Sequence, residues 1–172
     1  MESVQERCTK RMGMNQFSLE SVMFLHGLSA TFSVVSAVII ASMISRGHLQ
    51  AKSLRELKTF SILLVVFSFA TNITGTYGYL PYRLSSPDSP KSLILKTEPF
   101  AHEILFETME YLGLIGPIWS VVIAWMIIYN GERAATDSGL RRILLLLTIL
   151  FATWTVAVAF TGIVPTMIAP VG

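Results

Sequence analysis

Four long apolar stretches dominate the pattern of this chain, and short polar segments separate them. They cover residues 22–45, 57–80, 104–129 and 143–167. Each exceeds the roughly 20 residues that a helix needs to cross about 30 Å of hydrocarbon. Because lipid cannot satisfy backbone N–H and C=O groups, each stretch must be helical. The pattern predicts an all-α integral membrane protein, an antiparallel bundle of four transmembrane helices in contact with the lipid bilayer.

Composition supports this prediction and narrows the function classes. Of the 172 residues, 52% are hydrophobic and 14% are charged, whereas a soluble domain carries about 25% charged residues. This length predicts a single membrane domain over residues 1–172. A net charge of +2 gives no basis for a nucleic-acid partner. The sequence contains no phosphate-binding loop and no nucleophile motif, so it gives no support to a nucleotide-driven or hydrolase function. Whether the protein is an enzyme is left open.

The connections between the spans differ in length. Segments 46–56 and 130–142 are short, and Asn130-Gly131 and Asp137-Ser138-Gly139 are typical of turns. Segment 81–101 is longer and proline-rich, which predicts a non-helical cap or a flexible loop on the same side as both termini. The short loops carry seven Lys and Arg near the spans, and the opposite side carries six. This bias favours cytoplasmic short loops and extracytoplasmic termini.

Small and polar residues recur at steps of three and four along each span, which places them on one helix face. Such faces avoid lipid and permit close helix packing, so we expect them to line the bundle interior. They are His26, Ala30, Ser33 and Ala37; Ser68, Asn72, Gly75 and Tyr79; Glu103, Glu107, Glu110, Leu114 and Pro117; Thr148, Ala152, Thr155, Ala159, Gly162 and Thr166. Antiparallel succession brings most of the polar ones to one membrane face.

The three glutamates of the third span lie within about 60° of arc on a helix. A charged side chain at membrane depth costs at least about 2.5–3.5 kcal/mol on insertion scales, so a cation, a proton or a basic partner must compensate. Carboxylates with an imidazole suit a transition metal. One hypothesis is therefore a metal or proton-relay site, and an alternative leaves Glu103 solvated. The residues of that site are Glu103, Glu107, Glu110 and His26, with Asn72 and Arg83 as supporting groups.

Two histidines, His26 and His102, belong to different spans at comparable depth. Such a pair is typical of axial ligands to haem b. A quinone is an alternative, with His26 or Tyr79 bonded to its carbonyl and Glu110 handling its proton. In the alternative without a cofactor, His102 lies at the membrane interface at the start of its helix, and His26 is a partner of the glutamates.

The run Tyr-Gly-Tyr-Leu-Pro-Tyr-Arg at 77–83, the helix-opening His102 and segment 154–162 resemble small multi-span proteins of respiratory chains. More loosely, the chain is similar to four-helix families linked to haem-copper oxidase assembly, although those families carry more histidines. The resemblance covers topology and these positions and includes no diagnostic motif. It implies a respiratory setting.

The first functional prediction is a small subunit of a membrane electron-transfer complex that binds haem b or quinone near one membrane face. A second is a non-redox structural or assembly subunit, whose glutamates pair with a basic helix of a larger membrane subunit. A third is the intramembrane metal or proton-relay site on Glu107, Glu110 and His26.

Overall fold

The computed structural model describes residues 16–47, 51–83, 87 and 89–168. Four helical spans in it are long and apolar enough to cross a membrane, which confirms the predicted multi-pass architecture. They are Leu19–Ser45, Lys52–Tyr79, Ala101–Thr136 and Ser138–Gly162. The helices are α1 (Gln16–Ser45), α2 (Ala51–Tyr79), α3 (Pro90–Thr97), a π-helical segment (Ala101–Phe106), α4 (Glu107–Gly113), α5 (Ile115–Thr136) and α6 (Ser138–Ile168). Which side holds the termini stays a prediction.

The third span is built from three consecutive helical pieces rather than one regular helix. It opens with the π-helical segment, in which Glu107 N–H donates to the carbonyl of His102, five residues earlier. It breaks again at Leu114, between α4 and α5. Pro117 follows this break and lacks the N–H that a regular helix would donate to the Gly113 carbonyl. We call this interruption the kink, and the missing N–H of Pro117 is its cause.

Helix α5 continues through Asn130 and Gly131, where the sequence predicted a turn. The predicted turn at Asn130-Gly131 is wrong. Gly131 is buried against the side chain of Leu54, so glycine is used here for close helix packing and not for a turn. The chain turns at Asp137, within the other predicted turn, and its Oδ1 accepts the N–H groups of Gly139 (2.9 Å) and Leu140 (3.1 Å). This carboxylate caps the first turn of α6.

The proline-rich connection contains a helix, α3, contrary to the predicted non-helical cap or loop. Ser89 is its N-cap and accepts Ser92 N–H through Oγ at 3.2 Å, and Pro90 occupies the first helical position. Serine followed by proline is a favourable helix start, because the proline has no N–H that would be left unbonded there. The high proline content of this connection favoured a non-helical prediction, although Ser89-Pro90 is itself a helix-start signal.

Contacts divide the chain into two compact units. Unit 1 comprises the described residues of Met1–Gly27, Thr71–Gly113 and Ala157–Gly172, and unit 2 comprises Leu28–Ala70 and Leu114–Val156. Helix packing is antiparallel in both. In unit 1, Gly75 meets His26 and Gly78 meets Met23. In unit 2, Gly131 meets Leu54 and Gly116 meets Ser68.

Unit 2 contains a continuous aliphatic core. Its fully buried members are Ala37, Ile40, Ile44, Leu57, Leu64, Ile123, Ile127, Ala134, Leu144 and Phe151. Ser33, Ala37, Ser68, Pro117 and Thr148 of the predicted interior faces are buried there. Leu114 is 58% exposed, and Glu103 and Ala159 are also exposed, so the assignment of these three to interior faces is wrong. Leu114 lies at the break between α4 and α5, and Glu103 lies in the π-helical segment, where regular spacing does not hold. The side chain of Thr166 lies outside the described residues.

Candidate functional site

His26 is held by a single hydrogen bond in unit 1. Its Nδ1 lies 2.9 Å from the carbonyl oxygen of Thr71 on α2. A carbonyl only accepts, so Nδ1 carries the proton and Nε2 keeps its lone pair. A histidine whose tautomer is fixed in this way presents Nε2 as a base or a ligand.

Gly75 makes room for this imidazole. A Cβ at Gly75 would lie 2.9 Å from Cε1 and 3.0 Å from Nδ1 of His26. One turn further along α2, Gly78 accommodates Met23 in the same way. Both pairs are three residues apart on their helices, so the glycines form a shallow face that admits side chains of α1. The sequence marked Gly75 as an interior residue but gave no sign of which side chain would fill the space.

Asn72 bonds to the kink in the third span. Its Nδ2 donates to the carbonyl of Gly113 at 2.9 Å. That carbonyl lacks its ordinary helical donor because the residue four positions later is Pro117. An unsatisfied carbonyl is costly within a bilayer, so the amide stabilises the kink. The structure thus gives Asn72, predicted to support a metal or proton site, a direct role in helix geometry.

Arg83 forms an ion pair with Glu110, the last of the three glutamates along the third span. Its Nη2 lies 2.5 Å from Oε2 of Glu110, and its guanidinium lies 5.2 Å from the ring centre of Tyr79. The charged partners strengthen the hydrogen bond. The two side chains are 45% and 34% exposed, so water would weaken the pair, and we assign it a modest stabilisation. Arg83 is one of the basic partners that the sequence suggested for these carboxylates.

Glu103 and Glu107 form no ion pair with any described residue. Glu103 is exposed on the π-helical segment and Glu107 is half-buried at the start of α4. In the described part of the chain, no three His, Cys, Asp or Glu side chains lie together in a way that could hold a metal ion. The metal site on Glu103, Glu107, Glu110 and His26 stays a prediction, without support from the described side chains.

His102 lies in an aromatic cluster at the start of the third span. It is 2% exposed, and its Nδ1 lies 2.8 Å from the hydroxyl of Tyr82. Ring centres of Tyr82 and Phe106 are 4.6 Å apart, and those of Tyr82 and Tyr79 are 4.9 Å apart. Ile94 of α3 belongs to the same cluster. The short helix therefore contributes to the enclosure of this histidine.

Two hydroxyl groups of this cluster differ in their partners. Tyr82 bonds to His102, and burial raises the pKa of the Tyr82 phenol well above its usual range. The Tyr79 hydroxyl is buried and interacts with the Arg83 guanidinium, without a hydrogen bond of regular geometry within the described residues. Because guanidinium only donates, it leaves the O–H of Tyr79 available to a further acceptor. The sequence gave no indication of the bond between Tyr82 and His102.

The two histidines predicted as haem ligands are thus held by different partners, His26 by Thr71 and His102 by Tyr82. His102 is enclosed by protein, so a haem bound through both residues would have to displace part of the aromatic cluster. His26 is only half-buried, and it requires no such displacement.

Comparisons of the chain with protein-family models, with curated proteins and with solved structures find no match.

Proposed function

We propose that this protein is a small quinone-binding subunit of a membrane electron-transfer complex, with the quinone headgroup in unit 1. The observation that carries the proposal is the orientation of His26, whose Nδ1–H is bonded to Thr71. Its Nε2 is then suited to accept the proton of a quinol hydroxyl, and the protonated ring to donate to a quinone carbonyl.

Quinone is favoured over haem b by the environment of the second histidine. Haem b needs two axial imidazoles in this reading, and His102 is enclosed and bonded to Tyr82. A quinone headgroup needs only hydrogen-bonding groups, and one imidazole with one hydroxyl is sufficient. The buried hydroxyl of Tyr79, whose O–H is not taken up by the guanidinium of Arg83, supplies a donor for the second carbonyl.

Oxidation of a quinol releases two electrons and two protons. The electrons pass to a redox centre of a partner subunit. One proton passes to Nε2 of His26, and Glu110 is the carboxylate that we assign to the other. Its ion pair with Arg83 holds this carboxylate in position while it is ionised.

The test uses the purified full-length chain in lipid nanodiscs, with ¹⁵N-labelled histidine. Added decylubiquinone should shift the His26 ring nitrogens, and a native quinone should be recovered by solvent extraction. His26→Gln should remove both the shift and the extracted quinone. Phe24→Leu is the matched control, because Phe24 is a neighbouring residue with 69% exposure. A wild-type protein with no extractable quinone and no response of His26 to added quinone would refute the proposal.

A second candidate is a non-redox assembly subunit, favoured by the two glutamates that have no ion pair within the described residues. Arg83 pairs with Glu110, so Glu103 and Glu107 are the carboxylates that could meet a basic helix of a partner. The double substitution Glu103→Gln with Glu107→Gln should abolish co-purification of larger membrane subunits. Glu132→Gln, an exposed glutamate near the end of α5, is the control. Unchanged co-purification in the double variant would exclude this role.

A further inference from the structure

A groove of about 480 Å³ lies in unit 2, along the hairpin of α5 and α6. The end of the groove near the turn at Asp137 is polar, and the end away from that turn is apolar. The lining residues are Val122, Trp125, Met126, Asn130, Arg133, Asp137, Gly139, Leu140 and Ile143. All of the apolar ones belong to the third and fourth membrane spans. The groove therefore joins a hydrocarbon-facing surface to a charged end, which is the polarity of a phospholipid.

The charged end of the groove favours an anion. The Arg133 side chain is 75% exposed, and its only ion pair among the described residues is a loose one, with Nε 3.9 Å from Oδ2 of Asp137. The opposing charge of Asp137 is already engaged, since its Oδ1 accepts two backbone N–H groups of α6. These backbone bonds, chiefly that of Leu140, also hold the pKa of Asp137 below its usual value. Most donors of Arg133 thus remain available to a phosphate, which guanidinium binds in bidentate fashion.

Aromatic residues mark the depth of this end in the bilayer. Trp125 lines the groove with 57% exposure, and its ring centre lies 5.7 Å from that of Tyr129, which is 73% exposed. Exposed Trp and Tyr side chains of membrane proteins concentrate at the headgroup level. Arg133 is two turns beyond Trp125 on α5, so its guanidinium extends to where lipid phosphates lie.

We infer that this groove binds one anionic phospholipid, with the phosphate at Arg133 and Asn130 and an acyl chain along Val122, Trp125 and Ile143. The site is independent of the quinone site in unit 1. Basic residues at the end of paired membrane helices recognise acidic headgroups, and each contributes about fivefold to binding near the surface.

The test is native mass spectrometry of the full chain with phosphatidylglycerol or phosphatidylcholine of identical acyl chains. The wild-type protein should bind one phosphatidylglycerol about fivefold more tightly than phosphatidylcholine. Arg133→Gln should remove this preference, and Trp125→Ala should weaken both lipids alike. Arg142→Gln is the matched control, because Arg142 is an exposed arginine of the same hairpin that does not line the groove.

Three outcomes would overturn the inference. One is the absence of any headgroup preference in the wild type. Another is an equal loss in Arg133→Gln and Arg142→Gln, which would indicate diffuse attraction to the hairpin. The third is retention of the preference in Arg133→Gln. Circular dichroism of each variant checks that the helices are intact. We expect intact helices in both arginine variants, because both side chains are exposed.

Discussion

Units 1 and 2 differ in how their polar side chains connect the helices. In unit 2, three buried hydroxyls bond to their own helices: Ser61 to the Lys58 carbonyl, Ser120 to that of Pro117 and Thr148 to that of Leu144. Unit 1 also has such hydroxyls, and it adds bonds between different elements, from His26 to Thr71 and from Asn72 to Gly113.

Bonds within one helix and bonds between helices have different consequences for the stability of a small membrane bundle. A hydroxyl bonded within its own helix adds little to association, because the same bond forms in an isolated helix. A bond between helices specifies position, and its loss leaves a polar group unsatisfied in a dry environment. Unit 2 should therefore respond to changes of volume, and unit 1 to changes of hydrogen bonding.

The largest effect is expected from a cavity in unit 2. Phe151 is 1% exposed and packs edge-on against Trp119 with ring centres 6.1 Å apart. Phe151→Ala should lower the free energy of unfolding by about 3 kcal/mol, because a buried aromatic ring is lost and the cavity persists. Reversible unfolding in mixed micelles measures this. Phe69→Ala, at a residue of 45% exposure, should cost far less. Equal losses would show that unit 2 has no tightly packed core.

A methyl group at Gly75 should test the fit of His26. Gly75→Ala should destabilise the protein by about 2 kcal/mol through overpacking and should displace the imidazole from Thr71. Gly27→Ala is the control, because no atom lies within 4 Å of a Cβ there, and it should stabilise α1 by up to about 1 kcal/mol. The His26 ring-nitrogen shifts report the displacement. A neutral Gly75→Ala would contradict the close approach of α1 and α2.

The bond of Asn72 should matter only while Pro117 is present. Asn72→Ala should cost about 1.5 kcal/mol, since the Gly113 carbonyl then lacks a donor. In a Pro117→Ala background the backbone supplies that donor, so the cost should nearly vanish. A double-mutant cycle measures the coupling. Additive effects of the two substitutions would mean that Asn72 stabilises something other than the kink.

The smallest effect concerns pH and Tyr82. Its pKa in the folded protein is raised above 10.0 by burial, so the unfolded chain loses this proton first. The stabilisation is full below pH 10 and declines as pH rises further. Tyr82→Phe should cost about 1 kcal/mol at neutral pH by loss of the bond to His102 and should flatten the alkaline decline. Unfolding between pH 7 and pH 11 provides the measurement, with the exposed Tyr129→Phe as control. The same alkaline slope in wild type and Tyr82→Phe would refute this assignment.

Much of the fold could be predicted from the sequence because the bilayer imposes it. A run of about 20 apolar residues has few alternatives in lipid, so the four spans followed directly. The interior positions Ser33, Ser68 and Thr148 were also correct, since small polar residues of a membrane helix face other helices rather than lipid. The π-helical segment at 101–106 has no local sequence signal, and the phase of the third span was lost there and at Leu114.

The candidate site was less predictable because backbone groups supply half of its contacts. His26 and Asn72 were recognised as interior polar residues, yet both bond to carbonyl oxygens, which every residue possesses. Periodicity indicates that a side chain points inward but identifies no particular carbonyl. Arg83 was recognised as a supporting group for the three glutamates, because charges at a shared membrane face attract over longer distances, but its pairing with Glu110 in particular came from the structure.

The single-residue connection at Asp137 has a consequence for biosynthesis. Because α5 ends at Thr136 and α6 begins at Ser138, no spare chain exists to let one helix reverse while the other stays in place. The two segments must enter the bilayer as a pair, and Arg133, Arg141 and Arg142 act together as one topogenic signal at its tip. Substitutions that move these arginines across the membrane would invert both helices at once, so reporter fusions after α6 should record the orientation of the whole hairpin.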